Sequence, residues 1–200
     1  MKLNRSSAMS LITPLLRVSV LTLSTVTILT PATVAEDHPG HTSQSAPDKL
    51  LPEASRKPAP SFSLTDANGK AITLSEYRGK VVLLDFWATW CGGCKLEIPW
   101  YMEFDRKYRK QGLAVIGVSM DEDGWKAVKP FLARKIDPET GGNTAMEYPV
   151  VIGNDQLAKE FNLTSMPMTL LIDRQGKIAL SHTGVVNKND FESHILQLLN

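Results

Sequence analysis

Val81-Val82-Leu83-Leu84-Asp85-Phe86-Trp87 is a run of seven residues with one charged member. A nearly unbroken apolar stretch of that length predicts a strand buried on both faces, in a sheet with helices on each side. Leu113 to Val118 repeats the pattern and predicts a second such strand. Met168 to Ile172 and Ile178 to His182 flank the turn Asp173-Arg174-Gln175-Gly176 and predict two more strands. A helix is expected from about Gly92 to Gln111, kinked where Pro99 removes a backbone donor. Trp125 to Arg134 sets Val128, Phe131 and Leu132 on one helical face. Gln156 to Phe161 reads as a short helix, and Phe191 to Leu199 as a closing amphipathic one. Tyr148 to Ile152 reads as a short extended piece, and Thr140-Gly141-Gly142-Asn143 as a loop. Upstream, Phe62-Ser63-Leu64 and Ala71-Ile72-Thr73-Leu74 predict short strands around the turn Asp66-Ala67-Asn68-Gly69. Strand–helix–strand followed by paired strands and a last helix predicts an α/β fold. Its mixed central sheet is flanked by helices on both faces and preceded by an N-terminal β-hairpin extension.

The first third of the chain breaks this pattern. Lys2 and Arg5 precede an apolar, threonine-rich stretch from Val18 to Leu29, short for a bilayer span, and Thr33-Val34-Ala35 supplies small residues. Residues 1–35 are expected to be a secretory signal cleaved after Ala35, with an uncleaved N-terminal anchor as the alternative. Both place the remainder in an extracytoplasmic, periplasm-like space and leave room for a membrane tether. Residues 36–56 are rich in Pro, Ser, His and charge and read as a flexible linker; the folded domain is expected over 57–200. Leu50 and Leu51 are the linker residues able to pack on that domain. Cleavage after Ala35 exposes Glu36-Asp37-His38, whose amine, amides and imidazole match a square-planar Cu(II) or Ni(II) site, with His41 as a further ligand. The alternative for that tail is a plain polar segment.

Composition narrows the function. Among 200 residues, 22 basic and 21 acidic side chains leave a net charge of +1, which argues against nucleic acid or a strongly acidic partner. There are two cysteines, so no disulfide scaffold exists and the core must hold the fold. Both fall where the first central strand gives way to its helix, the carboxyl end of the sheet at which α/β sites form. In Trp90-Cys91-Gly92-Gly93-Cys94, Cys91 sits at a helix N-terminus, where free N–H groups and the helix dipole favour a thiolate. Cys94, one turn on, can resolve a mixed disulfide. Gly92 and Gly93 leave the approach to the sulfurs open, and Trp90 shields the rim. Zinc would need four ligands and no second pair accompanies this one, so no metal is expected there; a two-residue disulfide loop would contribute little as a structural staple. Asp85, set in an apolar strand, is expected to carry a raised pKa and to act as a base. Trp87 and Trp100 read as core, His182 and His194 as surface.

Asp85-Phe86-Trp87-Ala88-Thr89-Trp90-Cys91-Gly92-Gly93-Cys94 resembles the active-site segment of thioredoxins. Together with Pro60 to Leu64 and Leu74 to Leu84, it is similar to the exported TlpA/ResA-like branch, also called redoxin domains, over roughly Lys57 to Leu199. The resemblance implies the thioredoxin fold, dithiol–disulfide exchange without a cofactor, and cysteine-containing protein substrates. It also implies a membrane protein as electron donor. By the same resemblance, Met166-Pro167-Met168-Thr169 matches a cis-proline loop that binds the partner chain facing the cysteines. The family usually has a small or β-branched residue where this chain has Met166. Asp85 matches the buried acid of thioredoxins, and Glu97 the acid beneath the site in the ResA-like branch. The implied role is a reductant of partner cysteines, of the kind used in cytochrome c or copper-site maturation. The alternatives are a disulfide oxidase or isomerase, which usually carries His between the cysteines, and a peroxiredoxin-type thiol peroxidase. The peroxidase needs Thr or Ser where this chain has Ala88.

Overall fold

The computed structural model of the chain describes residues 49–137 and 141–200. The expected signal segment, the linker up to Asp48, the histidines His38 and His41, and Thr140 lie outside the described residues.

A two-stranded hairpin comes first, β1 (Ser63–Thr65) and β2 (Ala71–Thr73), paired antiparallel. Its turn closes because the Asp66 carboxylate accepts the N–H groups of Asn68 and Lys70 at 2.8 and 2.9 Å, the usual way an Asp sets a tight turn. β3 (Val81–Trp87) follows, then α1 (Gly92–Tyr108), β4 (Leu113–Ser119), α2 (Trp125–Ala133), β5 (Val150–Ile152), α3 (Asp155–Glu160), β6 (Met168–Ile172), β7 (Ile178–Thr183) and α4 (Lys188–Leu199). The main sheet has the order β5-β4-β3-β6-β7. β3 pairs parallel with β4 and antiparallel with β6, so the sheet is mixed, as expected.

The central place of β3 explains its composition. All seven of its residues are buried, because strands flank it on both edges and helices or the hairpin cover both faces. Alternate residues serve two cores. Val81, Leu83, Asp85 and Trp87 point to the side packed by α1, α2 and α4, where Ile98, Tyr101, Phe131 and Phe191 sit. Val82, Leu84 and Phe86 point to the other, packed by α3 and the hairpin through Phe62, Ile72, Leu157 and Phe161.

The element edges differ from expectation where side chains cap the helices. α4 starts three residues early, at Lys188, because the Asn187 side chain accepts the N–H groups of Asn189 and Asp190. Asn154 caps α3 in the same way through Leu157 N–H. α1 continues through Pro99 and tightens to a 3-10 turn over Arg109–Gln111, which Gly112 ends at φ +104°.

The described end of the linker is not loose. Leu51 N–H bonds the Ala179 carbonyl at 2.8 Å, Leu50 packs against the core, and Arg56 meets Asp173 at 3.1 Å. The same Asp173 accepts the N–H groups of Gln175 and Lys177 and so shapes the β6–β7 turn. Trp87 is core, whereas Trp100 is only half-buried against it. His194 is half-buried rather than on the surface, since α4 packs onto the sheet through Phe191 and Ile195, the residues three before it and one after.

Candidate active site

The two cysteines sit at the join of β3 and α1. After Trp87 the chain turns through Ala88, Thr89 and Trp90, and Cys91 becomes the N-cap of α1 with extended backbone angles. Its sulfur accepts the N–H of Cys94 at 3.2 Å. That bond satisfies one of the free donors of a helix start, and the same donor would favour a sulfur anion there. Cys91 and Cys94 are joined as a disulfide with their Cα atoms 5.3 Å apart. Cys91 is 7% exposed and Cys94 0%. A thiol of an incoming protein can therefore reach the first sulfur and not the second. Trp90 stands at the rim, 67% exposed.

The turn before Cys91 is held by a residue the sequence reading passed over. Asp121, just beyond β4, accepts the Thr89 N–H at 3.0 Å and its hydroxyl at 2.6 Å. Ser119 donates to the same carboxylate at 2.8 Å. A buried Asp two residues past a strand's carboxyl end was the available signal. Lys95, next to Cys94, was also missed; it is buried and faces Asp137 at 3.4 Å.

Opposite the cysteines lies Met166-Pro167, whose peptide bond is cis as expected. Gly184 N–H bonds the Pro167 carbonyl at 2.9 Å, and Val186 N–H bonds Glu97 Oε1 at 2.8 Å. The loop after β7 is thus pinned to the proline on one side and to α1 on the other, and it carries Val185 to the site. This separates the two glycines. A Cβ on Gly92 would meet nothing within 4 Å, whereas one on Gly93 would lie 2.9 Å from Val185 Cγ2 and 3.2 Å from Pro167 Cδ. The expectation that both positions are permissive holds for Gly92 only, because Val185 and Pro167 close over Gly93.

Below the disulfide the site is acidic and buried. Asp85 is fully buried, and among the described residues neither of its oxygens has a hydrogen-bond partner. Burial pushes its pKa well above the usual carboxylate range, and the neighbouring Glu97 charge adds to the rise. Glu97, also buried, is pushed up to about 7 by the same loss of solvation, against the Val186 N–H and Tyr101, which lower it. Tyr101 and Thr169 share a hydrogen bond of 2.8 Å between their hydroxyls, and Thr169 pairs with Asp85 across β3 and β6. Pro167 and Val185 therefore close over Gly93 between the two cysteines, Glu97 holds the loop that carries Val185, and Asp85 is within electrostatic reach of Glu97, while Trp90 and Gly92 face outward.

A family model described as Redoxin matches residues 54–199. The chain belongs to the redoxin family. This redoxin is 38% identical over 138 residues to the thiol-disulfide oxidoreductase ResA of Geobacillus kaustophilus (strain HTA426), covering 68% of this chain and 74% of that protein. It is 33% identical over 132 residues to ResA of Bacillus subtilis (strain 168), covering 66% and 68%. Among solved structures, a thiol:disulfide interchange protein of the thioredoxin family from Chlorobium tepidum TLS superposes with a TM-score of 0.63 at 26% identity. That match covers 74% of this chain and all of the other. The fold is the thioredoxin fold, and this ResA-like redoxin is a thiol-disulfide oxidoreductase whose substrates are cysteine-containing proteins.

Proposed function

We propose that the chain is an exported dithiol reductant that returns partner-protein disulfides to thiols through Cys91 and Cys94. The observation that carries the order of attack is the difference between the two sulfurs: Cys91 reaches solvent at a helix start and accepts an N–H bond, and Cys94 is sealed. In the forward step the Cys91 thiolate attacks a substrate disulfide. A Cys91–substrate S–S bond forms, and one substrate sulfur leaves as a thiolate that takes up a proton. Cys94 then loses its proton to Asp85 and attacks Cys91. The Cys91–Cys94 bond forms, the Cys91–substrate bond breaks, and the second substrate sulfur leaves. Two electrons pass from the enzyme dithiol to the substrate disulfide. Glu97, with a pKa near neutrality, shares the proton load with Asp85. Trp90, Gly92, Met166 and Pro167 form the surface against which the partner chain lies.

The basic-then-apolar segment at residues 1–35 supports an extracytoplasmic or periplasmic location, where protein disulfides persist. The ResA-like relationship supports a role in cytochrome c or copper-site maturation, with a membrane protein as electron donor and residues 1–35 as a tether if they are not cleaved. Among the described residues no helix is long and apolar enough to cross a membrane. A peroxidase reading has no support at Ala88, a buried methyl where that chemistry needs a hydroxyl.

The test is the reduction potential of the Cys91–Cys94 couple with a trapping variant. A value near roughly −270 mV supports the reductant, and one near −120 mV would make the protein an oxidant. Cys94→Ser should accumulate mixed disulfides with its substrates and Cys91→Ser none; the reverse pattern would overturn the order of attack.

A further inference from the structure

Cys91 needs a fixed backbone most when its disulfide is gone. In the oxidised form the bond to Cys94 ties it to α1. Reduction removes that tie. The residues between Ala88 and Cys91 gain little hold from burial, since Thr89 is half-buried and Trp90 is exposed. Hydrogen bonds must therefore set the turn from Trp87 to Cys91.

Those bonds come largely from the end of β4. The Trp87 carbonyl accepts Met120 N–H at 2.8 Å, and the Ala88 carbonyl accepts Cys91 N–H at 3.1 Å. Between them Thr89 is gripped twice by one carboxylate. Its N–H donates to Asp121 Oδ2 at 3.0 Å and its hydroxyl to Oδ1 at 2.6 Å. Asp121 is itself fixed. The Ser119 hydroxyl donates to Oδ2 at 2.8 Å and accepts the Asp121 N–H at 3.2 Å, and Ser119 is fully buried in β4. Gly124 N–H bonds the Asp121 carbonyl at 2.9 Å. The grip on Thr89 is thus anchored in the sheet and not in a free side chain.

An acid at this place works against its surroundings. A carboxylate bonded to the residue two before Cys91 opposes a negative charge on that sulfur. A neutral side chain would spare Cys91 the opposition. What the carboxylate offers is two oxygens that accept three donors at once, through charge-assisted bonds about twice as strong as neutral ones. Among the described residues the oxygens of Asp85 have no partner, whereas both of Asp121 are occupied. The role left for Asp121 is geometric.

We propose that Asp121 is a positioning residue for Cys91: its grip on Thr89 holds the β3–α1 turn so that, in the dithiol, the Cys91 sulfur stays at the start of α1 within reach of the Cys94 N–H. In the disulfide that N–H lies 3.2 Å from the sulfur. With the clamp opened, the turn and the helix cap it carries shift together. The sulfur then loses part of the helix-start field that favours its anion. The inference rests on the reading of Cys91 as the attacking thiolate.

The experiment follows alkylation of the reduced full chain by iodoacetamide across pH 5–10, the labelled cysteine being identified by fragment mass spectrometry. Wild type is compared with Asp121→Asn, Thr89→Val, Thr89→Ser and the double variant Asp121→Asn with Thr89→Val. Urea unfolding of each oxidised protein is measured beside it. Wild-type Cys91 should titrate below the free-thiol value of about 8.5. Thr89→Val keeps the carboxylate and loses one hydroxyl, and should raise the midpoint by about half a pH unit. Asp121→Asn should raise it by about one unit, a tenfold slower reaction well below the midpoint. Thr89→Ser keeps both donors and should match wild type, and the double variant should shift no further than Asp121→Asn. Thr89→Val alone reads the clamp if Asp121→Asn folds poorly. Unchanged midpoints in variants whose oxidised forms lose stability make Asp121 a merely structural residue and overturn the proposal. A lowered midpoint in Asp121→Asn with none in Thr89→Val shows that the carboxylate acts by its charge, which also overturns it. A wild-type midpoint at the free-thiol value removes the nucleophile reading itself, and the clamp with it.

Discussion

The two faces of β3 are built from alternate residues of one strand and could hardly differ more. On the hairpin side, Val82, Leu84 and Phe86 join Phe62, Ile116, Val118, Leu157, Phe161 and Leu170 in an apolar core against which Tyr77 packs. On the α1 side, two residues away in each direction, Asp85 stands between Leu83 and Trp87, with Glu97, Tyr101 and Tyr148 around it. Both faces are equally hidden from water. The difference teaches where the fold places its strain: one face supplies stability, and the other spends some of it holding acids in a setting that raises their pKa. Among the described residues Asp85, Glu97 Oε2, Trp87 Nε1 and the Tyr148 hydroxyl have no hydrogen-bond partner, and all four lie on the α1 side.

The largest effect expected from this contrast is on the silent face. Phe86 is fully buried, with its ring centroid 5.3 Å from that of Phe161. Phe86→Ala should lower unfolding stability by about 3–5 kcal/mol, measured by urea titration, with the exchange rate per folded molecule near wild type. A large loss of rate in the folded fraction would mean that the hairpin side also shapes the site.

The second effect is a pH dependence that only the acidic face can cause. Glu97 has a folded-state pKa of about 7 against 4.5 in the unfolded chain. Between those values the folded state binds the extra proton, so stability falls as pH rises. The Glu97 contribution is fully present below about pH 4.5 and is lost by about pH 7, some 3 kcal/mol in all at 1.36 kcal/mol for each pKa unit. Asp85 acts with the same sign. Glu97→Gln keeps an oxygen for the Val186 N–H and removes the titration. Unfolding free energies of the oxidised protein from pH 4.5 to 8 should therefore slope less steeply in Glu97→Gln than in wild type. Parallel slopes would show that Glu97 is not the group responsible.

What the chain's pattern made legible follows the same division. The apolar face of β3 and the cysteine pair are local in sequence, so hydrophobic period and a four-residue motif sufficed. Asp85 was legible as well, since a charge in a seven-residue buried strand has no bland explanation that leaves it without a partner. The relations that escaped are those between distant segments. Asp121 holds Thr89 across 32 positions and Val186 holds Glu97 across 89. Arg56 holds Asp173 across 117, which ties down residues that composition marks as linker.

The smallest effect tests how tightly the chemical face is packed at its mouth, where Gly92 and Gly93 are chemically identical and structurally opposite. Both have negative φ, so backbone conformation does not distinguish them. A methyl on Gly92 enters open space, and alanine favours a helix over glycine by about 1 kcal/mol in an interior, less in the first turn. Gly92→Ala should therefore leave stability unchanged or slightly raised, with exchange intact. A methyl on Gly93 must displace the Val185 side chain, whose neighbours Gly184 and Val186 are bonded to Pro167 and Glu97. Val185 can give way towards solvent, being 45% exposed, but its backbone cannot follow without loosening both anchors. Gly93→Ala should cost about 1–3 kcal/mol by overpacking, read from urea unfolding, and should slow exchange by disturbing the loop that faces Cys91. The added variant Val185→Ala opens the space and should restore both properties to Gly93→Ala. If the double variant remains as impaired as the single one, the crowding lies against Pro167 instead, and the loop after β7 is not what makes the second glycine necessary.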